Sequence, residues 1–387
     1  MIFSTRAFLI VELGAFASLG IFWGNFAVLL ADLSRALDLS PGPLGFALFA
    51  GAAASILTMG ALGWTADRIG RRPFLMISAS VFCVGVAGLA FADGYALFLA
   101  VLVVLYAASG LYDVGINASA VDLERAAGRR FMTFLHAAFS GGGAVGALSA
   151  GALLQAGVDY HFVYLCVLLP LGAMILAFAT AHFPSSDGPS EEGEHGGKPG
   201  TLGLYRNLPL MLLAVIATLG LLAEGEMEHW SGVYLRQTLE LPALLGGSGV
   251  AVFYGAMAAG RLAAAGTIAR LGDRRTLLGA GLLTTGGMAL ALVTTEPLLV
   301  VAGFLMVGLA LSGVVPIAFS LAGDLAPGRA GAAISTVTTL GYGGFLLGPV
   351  IVGGLAEAFG LRLALGTIAV AGLLIFTLSL RVKPVQT

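Results

Sequence analysis

The chain has 387 residues, of which 58% are hydrophobic and 10% charged, with a net charge of −2. Soluble domains carry about 25% charged residues, so no core of its own could hide this much apolar surface, and lipid must solvate most of the chain. The near-neutral charge gives no reason to expect nucleic acid, and 57 glycines without a G-X-Y period exclude collagen.

Apolar runs of roughly 20 residues, the length that crosses about 30 Å of hydrocarbon, recur along the chain. The first set of spans is 6–31, 43–65, 73–93, 95–121, 130–156 and 159–183. The opening run is too long for the apolar core of a signal peptide and has no clear cleavage site, so it reads as a spanning helix. A polar stretch, PSSDGPSEEGEHGGKPG (184–200), is rich in Pro, Gly, Ser and Glu and reads as a flexible linker. The second set is 208–235, 243–270, 275–295, 297–322, 330–356 and 360–381. Only helices and closed barrels satisfy the backbone in lipid, and these runs are too long for barrel strands. The expected fold is therefore an all-α integral membrane protein with 12 transmembrane helices. They form two six-helix bundles (1–183 and 208–387) joined by a linker (184–207) and related by pseudo-two-fold symmetry. Among the 19 Lys and Arg residues, Arg35, Arg236 and Arg362 fall in loops on one side and Arg261 falls within a span. The others lie on the opposite side, which predicts both termini in the cytoplasm. Cys83 and Cys166 stand in separate apolar runs without metal-like spacing and read as small buried residues.

The halves echo each other. SPGPLGFALF (40–49) is answered by LPALLGGSGV (241–250), and DRIGRR (67–72) by ARLGDRR (269–275), an offset of about 201–202 residues. Two like-facing bundles with a site between them near midplane is a transporter plan. The stretch GWTADRIGRR (63–72) resembles the major facilitator superfamily loop between helices 2 and 3, with Gly63, Asp67, Arg68, Gly70, Arg71 and Arg72 all matching. The resemblance implies that this loop helps hold one side shut. The second copy is degenerate, since Arg270 replaces the acid in one register. A narrower resemblance covers YDVGINASAVDLERAAGRRFMTFLHAAFSGGGAVGA (112–147) and EGEMEHWSGVYL (224–235). These stretches look like a bacterial inner-membrane group near the fucose-permease branch, which implies an inner-membrane location without naming a cargo.

An ionisable group at a helix centre costs roughly 2.5–3.5 kcal/mol on insertion scales and is a functional candidate. Glu12 shares a face of the first helix with Phe16 and Trp23; the alternative is a carboxylate reaching the cytoplasmic surface. Asn25 points about 200° away, with Ser18. In the fourth helix Tyr106, Asp113, Asn117 and Glu124 are spaced 7, 4 and 7, one narrow stripe that should face a cavity. Asp113 is its deepest member and the first choice for carrying a proton; a structural hydrogen bond between helices is the alternative. Glu124 is expected to pair with the Arg68–Arg72 loop. His136 has Ser140 at i+4 on its face. Gly141, Gly142, Gly143 and Gly146 suit close helix packing, and the absence of GxxxxGK[ST] removes ATP as the energy source.

In EGEMEHWSGVYL, Glu224 and Glu228 share a face, and two carboxylates there would repel unless they share a proton. Glu226 points nearly opposite, beside Trp230. Glu224 with Trp230 would cradle a polar ring; the alternative puts Glu228 and His229 at the outer interface with Trp230 in the aromatic belt. Arg261 needs a partner, either a carboxylate of the second half or an anionic substrate, unless it snorkels. Gly348-Pro349 and Pro316 predict bends.

The reading that unites these features is a secondary active transporter of a small polar solute, a sugar or related metabolite, working by alternating access with proton symport. Proton coupling falls to Asp113, Glu224 and Glu12. Substrate binding falls to Asn25, Tyr106, Asn117, His136, Ser140, Glu224 and Trp230. Gating falls to Gly63, Asp67, Arg68, Gly70, Arg71, Arg72 and Glu124. Its partners are a small-molecule substrate, protons and the lipid bilayer; a monomer is expected, with no metal or cofactor. A drug or metabolite efflux antiporter is the alternative, disfavoured by the lack of a G-P pair in SGGGAVGALSAG; a non-transporting sensor is another. Without H-E-x-x-H or a nucleophile elbow, no enzyme is expected.

Overall fold

A computed structural model describes residues 2–183, 201–326 and 328–382. The expected linker stretch 184–200, with Lys198, lies outside the described residues, as does Lys383. Among the described residues all secondary structure is helical, and twelve helices are long and apolar enough to span a bilayer. They are α1 (Arg6–Ala36), α2 (Pro41–Leu62), α3 (Arg71–Leu89), α4 (Tyr95–Ala127), α5 (Met132–Gln155), α6 (Tyr160–Thr180), α7 (Leu208–Thr238), α8 (Ala243–Leu271), α9 (Asp273–Val293), α10 (Pro297–Asp324), α11 (Ala330–Phe359) and α12 (Leu361–Ser379). Twelve crossings bring both ends of the chain to one face, the terminal face. The α1–α2 and α7–α8 turns lie on the other, the distal face. Thr201–Arg206 forms a short 3₁₀ helix before α7.

The helix boundaries have local causes. Pro297 stands in the first turn of α10, where a missing N–H is no loss. Asp159 caps α6 by accepting from the His161 N–H at 2.9 Å, and Asn207 caps α7 through the Leu210 N–H at 3.2 Å. Gly70 (φ +90°) and Gly272 (φ +76°) turn the chain into α3 and α9, a conformation that side chains with a Cβ avoid. α10 divides at Ser312–Gly313, because Pro316 offers no N–H to the carbonyl four residues earlier. The kink expected of Pro316 is therefore present. α11 runs on through Pro349.

The repeat seen in the sequence is a symmetry of contacts. A Cβ on Gly45 would stand 2.5 Å from the Pro349 carbonyl and 2.9 Å from Gly353 Cα; one on Gly247 would stand 2.6 Å from the Ala147 carbonyl and 2.9 Å from Gly151 Cα. Each residue of the first set is paired with one of the second by the same offset of 202 positions: 45 with 247, 147 with 349, and 151 with 353. The halves thus meet along two equivalent seams, α2 against α11 and α5 against α8. Glycine lets the backbones touch in both.

The seams close on the distal face. There Arg236 bonds Asp32 at 2.6 Å across the halves, and the Gln237 amide donates to the Ala31 carbonyl at 2.7 Å and to Ser34 Oγ at 2.8 Å. The Glu357 carboxylate accepts from the Gly42 N–H at 2.8 Å. Towards the terminal face the halves part. α8 is largely buried from Gly246 to Met257, yet no residue from Ala258 to Leu271 is fully buried; its mate α2 shows the same change beyond Ala52.

Candidate functional site

The charged cluster begins with Arg261, the in-span cation of α8. Its guanidinium bonds Glu224 of α7 at 2.9 Å and, across the seam, Ser140 Oγ of α5 at 2.5 Å and the His136 carbonyl at 3.3 Å. The demand for a carboxylate partner from the second half is thus met. The side chains of Arg261 and Glu224 are 17% and 12% exposed, so the pair is reachable from the interior yet largely desolvated, where ion pairs are strong and costly to break. Glu228, one turn along α7, lies beside Glu224, Arg261 and Tyr254.

Across the cavity α4 contributes Asp113. Its carboxylate accepts from the Asn117 amide at 3.0 Å, so these two members of the stripe share a face, and both are half-buried. Tyr342 of α11 faces Asp113 and Glu224 together and is 37% exposed although it lies mid-helix. Glu224 and Arg261, with Ser140 and the His136 carbonyl across the seam, thus form one polar cluster, and Tyr342 stands between Glu224 and Asp113.

Distal to these residues lies an aromatic cluster. The His229 Nδ1–H donates to the Gly225 carbonyl at 2.6 Å, which leaves Nε2 of the neutral ring to accept from the Tyr106 hydroxyl at 2.7 Å. Trp23 packs on Tyr106 at 5.0 Å and on His229 at 6.0 Å, and Phe345 packs on His229 at 5.7 Å. Beyond it, at the distal surface, lies an open recess of about 620 Å³ lined by Ser34, Arg35, Asp38, Arg236, Gln237 and Glu240. None of the sequence-predicted site residues reaches it.

Several expectations need correction. Glu124 does not pair with the arginine loop: its carboxylate accepts the N–H groups of Phe131 and Met132 at the start of α5. Asp122 takes that place, bonding Arg71 at 2.9 Å, because two residues turn the helix about 200° and only Asp122 then looks towards α3. Trp230 does not flank Glu224; it is fully buried, since six residues carry it about 240° around α7. Glu228 and His229 are not at an outer interface but buried between helices. Glu12 does not snorkel: it is sealed between α1 and α4, accepting from the Ser119 hydroxyl at 2.6 Å. Asn25 is buried as well, with 3% exposure. In the loop, Arg71 bonds both Asp67 and Asp122, and Arg72 donates to the Ala181 carbonyl. The Asp67 side chain is 64% exposed and meets α3 through its first residue, Arg71. Tyr342 and Phe345 went unnoticed because an aromatic residue in an apolar run carries no sequence signal; the offset of Tyr342 from Ser140, 202 positions, is the one clue that was there.

Two pseudo-symmetric six-helix bundles around a polar central cavity define a membrane transporter fold. The family model described as Major Facilitator Superfamily matches residues 13–265 and 245–387, and the chain belongs to that superfamily. An uncharacterized MFS-type transporter of Yersinia pestis is 30% identical over 92% of this chain and 90% of its own length. Among solved structures, the nucleoside transporter NupG has a TM-score of 0.79 at 14% identity, covering 97% of this chain and 99% of its own. The D-xylose-proton symporter has a TM-score of 0.76 at 14% identity, covering 98% of each chain.

Proposed function

We propose that this transporter carries a small polar solute by proton-coupled symport, through alternating access between the two halves. The observation that supports this most directly is a polar cluster shared by the halves: Arg261 bonds Glu224 in its own half and Ser140 in the other, and Tyr342 stands near both Glu224 and Asp113. A solute held among them touches both halves, so its binding free energy differs between the two ways the halves can rock. Carboxyl groups at that depth can take up and release a proton as access alternates. Asp113 carries the proton in the first half, and Glu224 does so in the second. The D-xylose-proton symporter and the nucleoside transporter share the fold, and a sugar and a nucleoside are both small polar solutes.

Sealed glycine seams on the distal face and the parted helices opposite describe a conformation open to the terminal face. The Lys and Arg bias supports a cytoplasmic terminal face and the resemblance to an inner-membrane group supports a bacterial inner membrane; on that reading the conformation is inward-open. The sealed Glu12, next to Ser119 and one turn from Asp122, links the core to the Arg71 loop and acts through that loop rather than on cargo.

Reconstituted protein tests the proposal. With an imposed pH gradient, wild type accumulates its solute and Asp113→Asn loses accumulation by at least tenfold while retaining solute exchange. Undiminished gradient-driven accumulation in that variant would remove Asp113 from the coupling.

A further inference from the structure

The cavity contains one cation and several acids, and their arrangement constrains the cargo. Arg261 is bound by Glu224 at 2.9 Å, and Glu228 stands one turn further along the same helix. A neutral solute leaves this arrangement undisturbed. A solute with a carboxylate would meet a guanidinium already shaped around a carboxylate, in a site where Glu224 holds the anion's place. We propose that the cargo is an organic acid whose carboxylate displaces Glu224 from Arg261. This rests on the transport reading above and deepens it by naming the substrate class.

The displacement has a consequence for coupling. Once the cargo's carboxylate holds Arg261, Glu224 and Glu228 are left on one helix face with no cation between them. Two unpaired carboxylates on one helix face in a low-dielectric interior repel strongly, and a single proton removes that repulsion. Binding the anion thus brings a proton into the second half, and the pair travels without a net change in charge. The titratable and charged groups turned towards Glu224 are Arg261 and Tyr254 from α8, Glu228 from its own helix and Tyr342 from α11; Arg261 links it to the His136 backbone of α5. The ionisable residues of the other helices packed on α7 lie near their ends (Asp324, Arg362 and Arg381) or are bound elsewhere, as Glu12 is by Ser119. The cation bonded to Glu224 is Arg261.

Ser140 gives the site its second role. Because the Arg261 guanidinium also bonds Ser140 Oγ at 2.5 Å in the other half, any ligand that recentres Arg261 alters the α5–α8 seam. An acid is therefore felt by both halves through one side chain.

The test uses the purified full chain and a matched set of probes: glucuronate, gluconate and lactate as acids, with glucose as the neutral ring. Binding is followed by thermal shift and by titration calorimetry at two pH values one unit apart. For wild type, an acid binds where glucose does not, and its affinity rises as pH falls, by up to about tenfold per unit for uptake of one proton. Glu224→Gln frees Arg261 from its internal partner, so the same acid binds at least as tightly and with a flattened pH slope. Arg261→Gln abolishes the acid response. Should that variant fail to fold, Glu224→Gln alone carries the test, since it keeps the guanidinium. Glucose matching the acids, no response to any acid, or an unchanged pH slope in Glu224→Gln would each overturn the proposal. Flux is read separately. Acid binding without accumulation in liposomes would sink the transport reading and with it the cargo assignment, leaving only an acid-binding site at Arg261. Accumulation of glucose without acid binding would do the reverse.

Discussion

At the scale of single residues, two of the side-chain bonds that join the halves are Tyr106 with His229 and Asp32 with Arg236. The first is a neutral bond between rings at the distal end of the cavity, and a net hydrogen bond of that kind contributes about 1 kcal/mol. Tyr106→Phe keeps the ring packing on Trp23 and removes only that bond. The expected result is an increase of about fivefold in the population open on the distal face, read as longer separations between spin labels at Ala36 and Thr238, exposed mates 202 positions apart. The second bond joins half-buried charges across the halves. Asp32→Asn should produce a larger shift in the same measurement, because Arg236 is then left without its charged partner. A helix wheel gave the relative faces within α4, hence the Asp113–Asn117 bond. It could not say which face each neighbour would cover. Trp230 and Glu124 were misplaced for that reason: the azimuth of a side chain is set by packing against helices distant in sequence, and a loop such as 128–131 decides which N–H groups a carboxylate finds.

At the scale of helices, position and length were legible and interaction was only partly so. Apolar runs fixed twelve spans because lipid accepts no other backbone. Proline marked the break in α10, while α11 absorbed Pro349. Pro170 likewise stands three residues past the break at Val167 in α6, whereas the break at Leu365 in α12 has no proline near it. The close seams were foreshadowed by glycine content but not by its register. Gly45→Val would force α2 away from α11, since even a Cβ lies 2.5 Å from a carbonyl that cannot yield. Transport should fall more than tenfold with the folded protein retained on size exclusion, and distal labels should show the open population favoured. Gly247→Val should do the same at the α5–α8 seam. An unaffected seam in either variant would show that the close approach is not needed for sealing.

At the scale of the whole molecule, the exposed run of α8 from Leu262 to Leu271 and the matching end of α2 make orientation measurable. A cysteine at Ala265, in a background lacking Cys83 and Cys166, should react with an impermeant maleimide in inside-out vesicles. The same cysteine should be protected in right-side-out ones by at least tenfold. Equal labelling from the two sides would contradict either the orientation or the sealed distal face. The two-bundle plan itself was visible in the sequence, because an offset of 202 survives as backbone geometry even where side chains have diverged.

That divergence has its own outcome. The position matching Arg261 is Met59 on α2, and the position matching Ser140 is Tyr342 on α11. One seam carries a charged bond between Arg261 and Ser140, where the matching positions of its twin hold a thioether and a phenol. A duplicated frame has thus been made lopsided in its chemistry alone. Under the proposed alternating access, the seam without that charged bond is the one expected to part first.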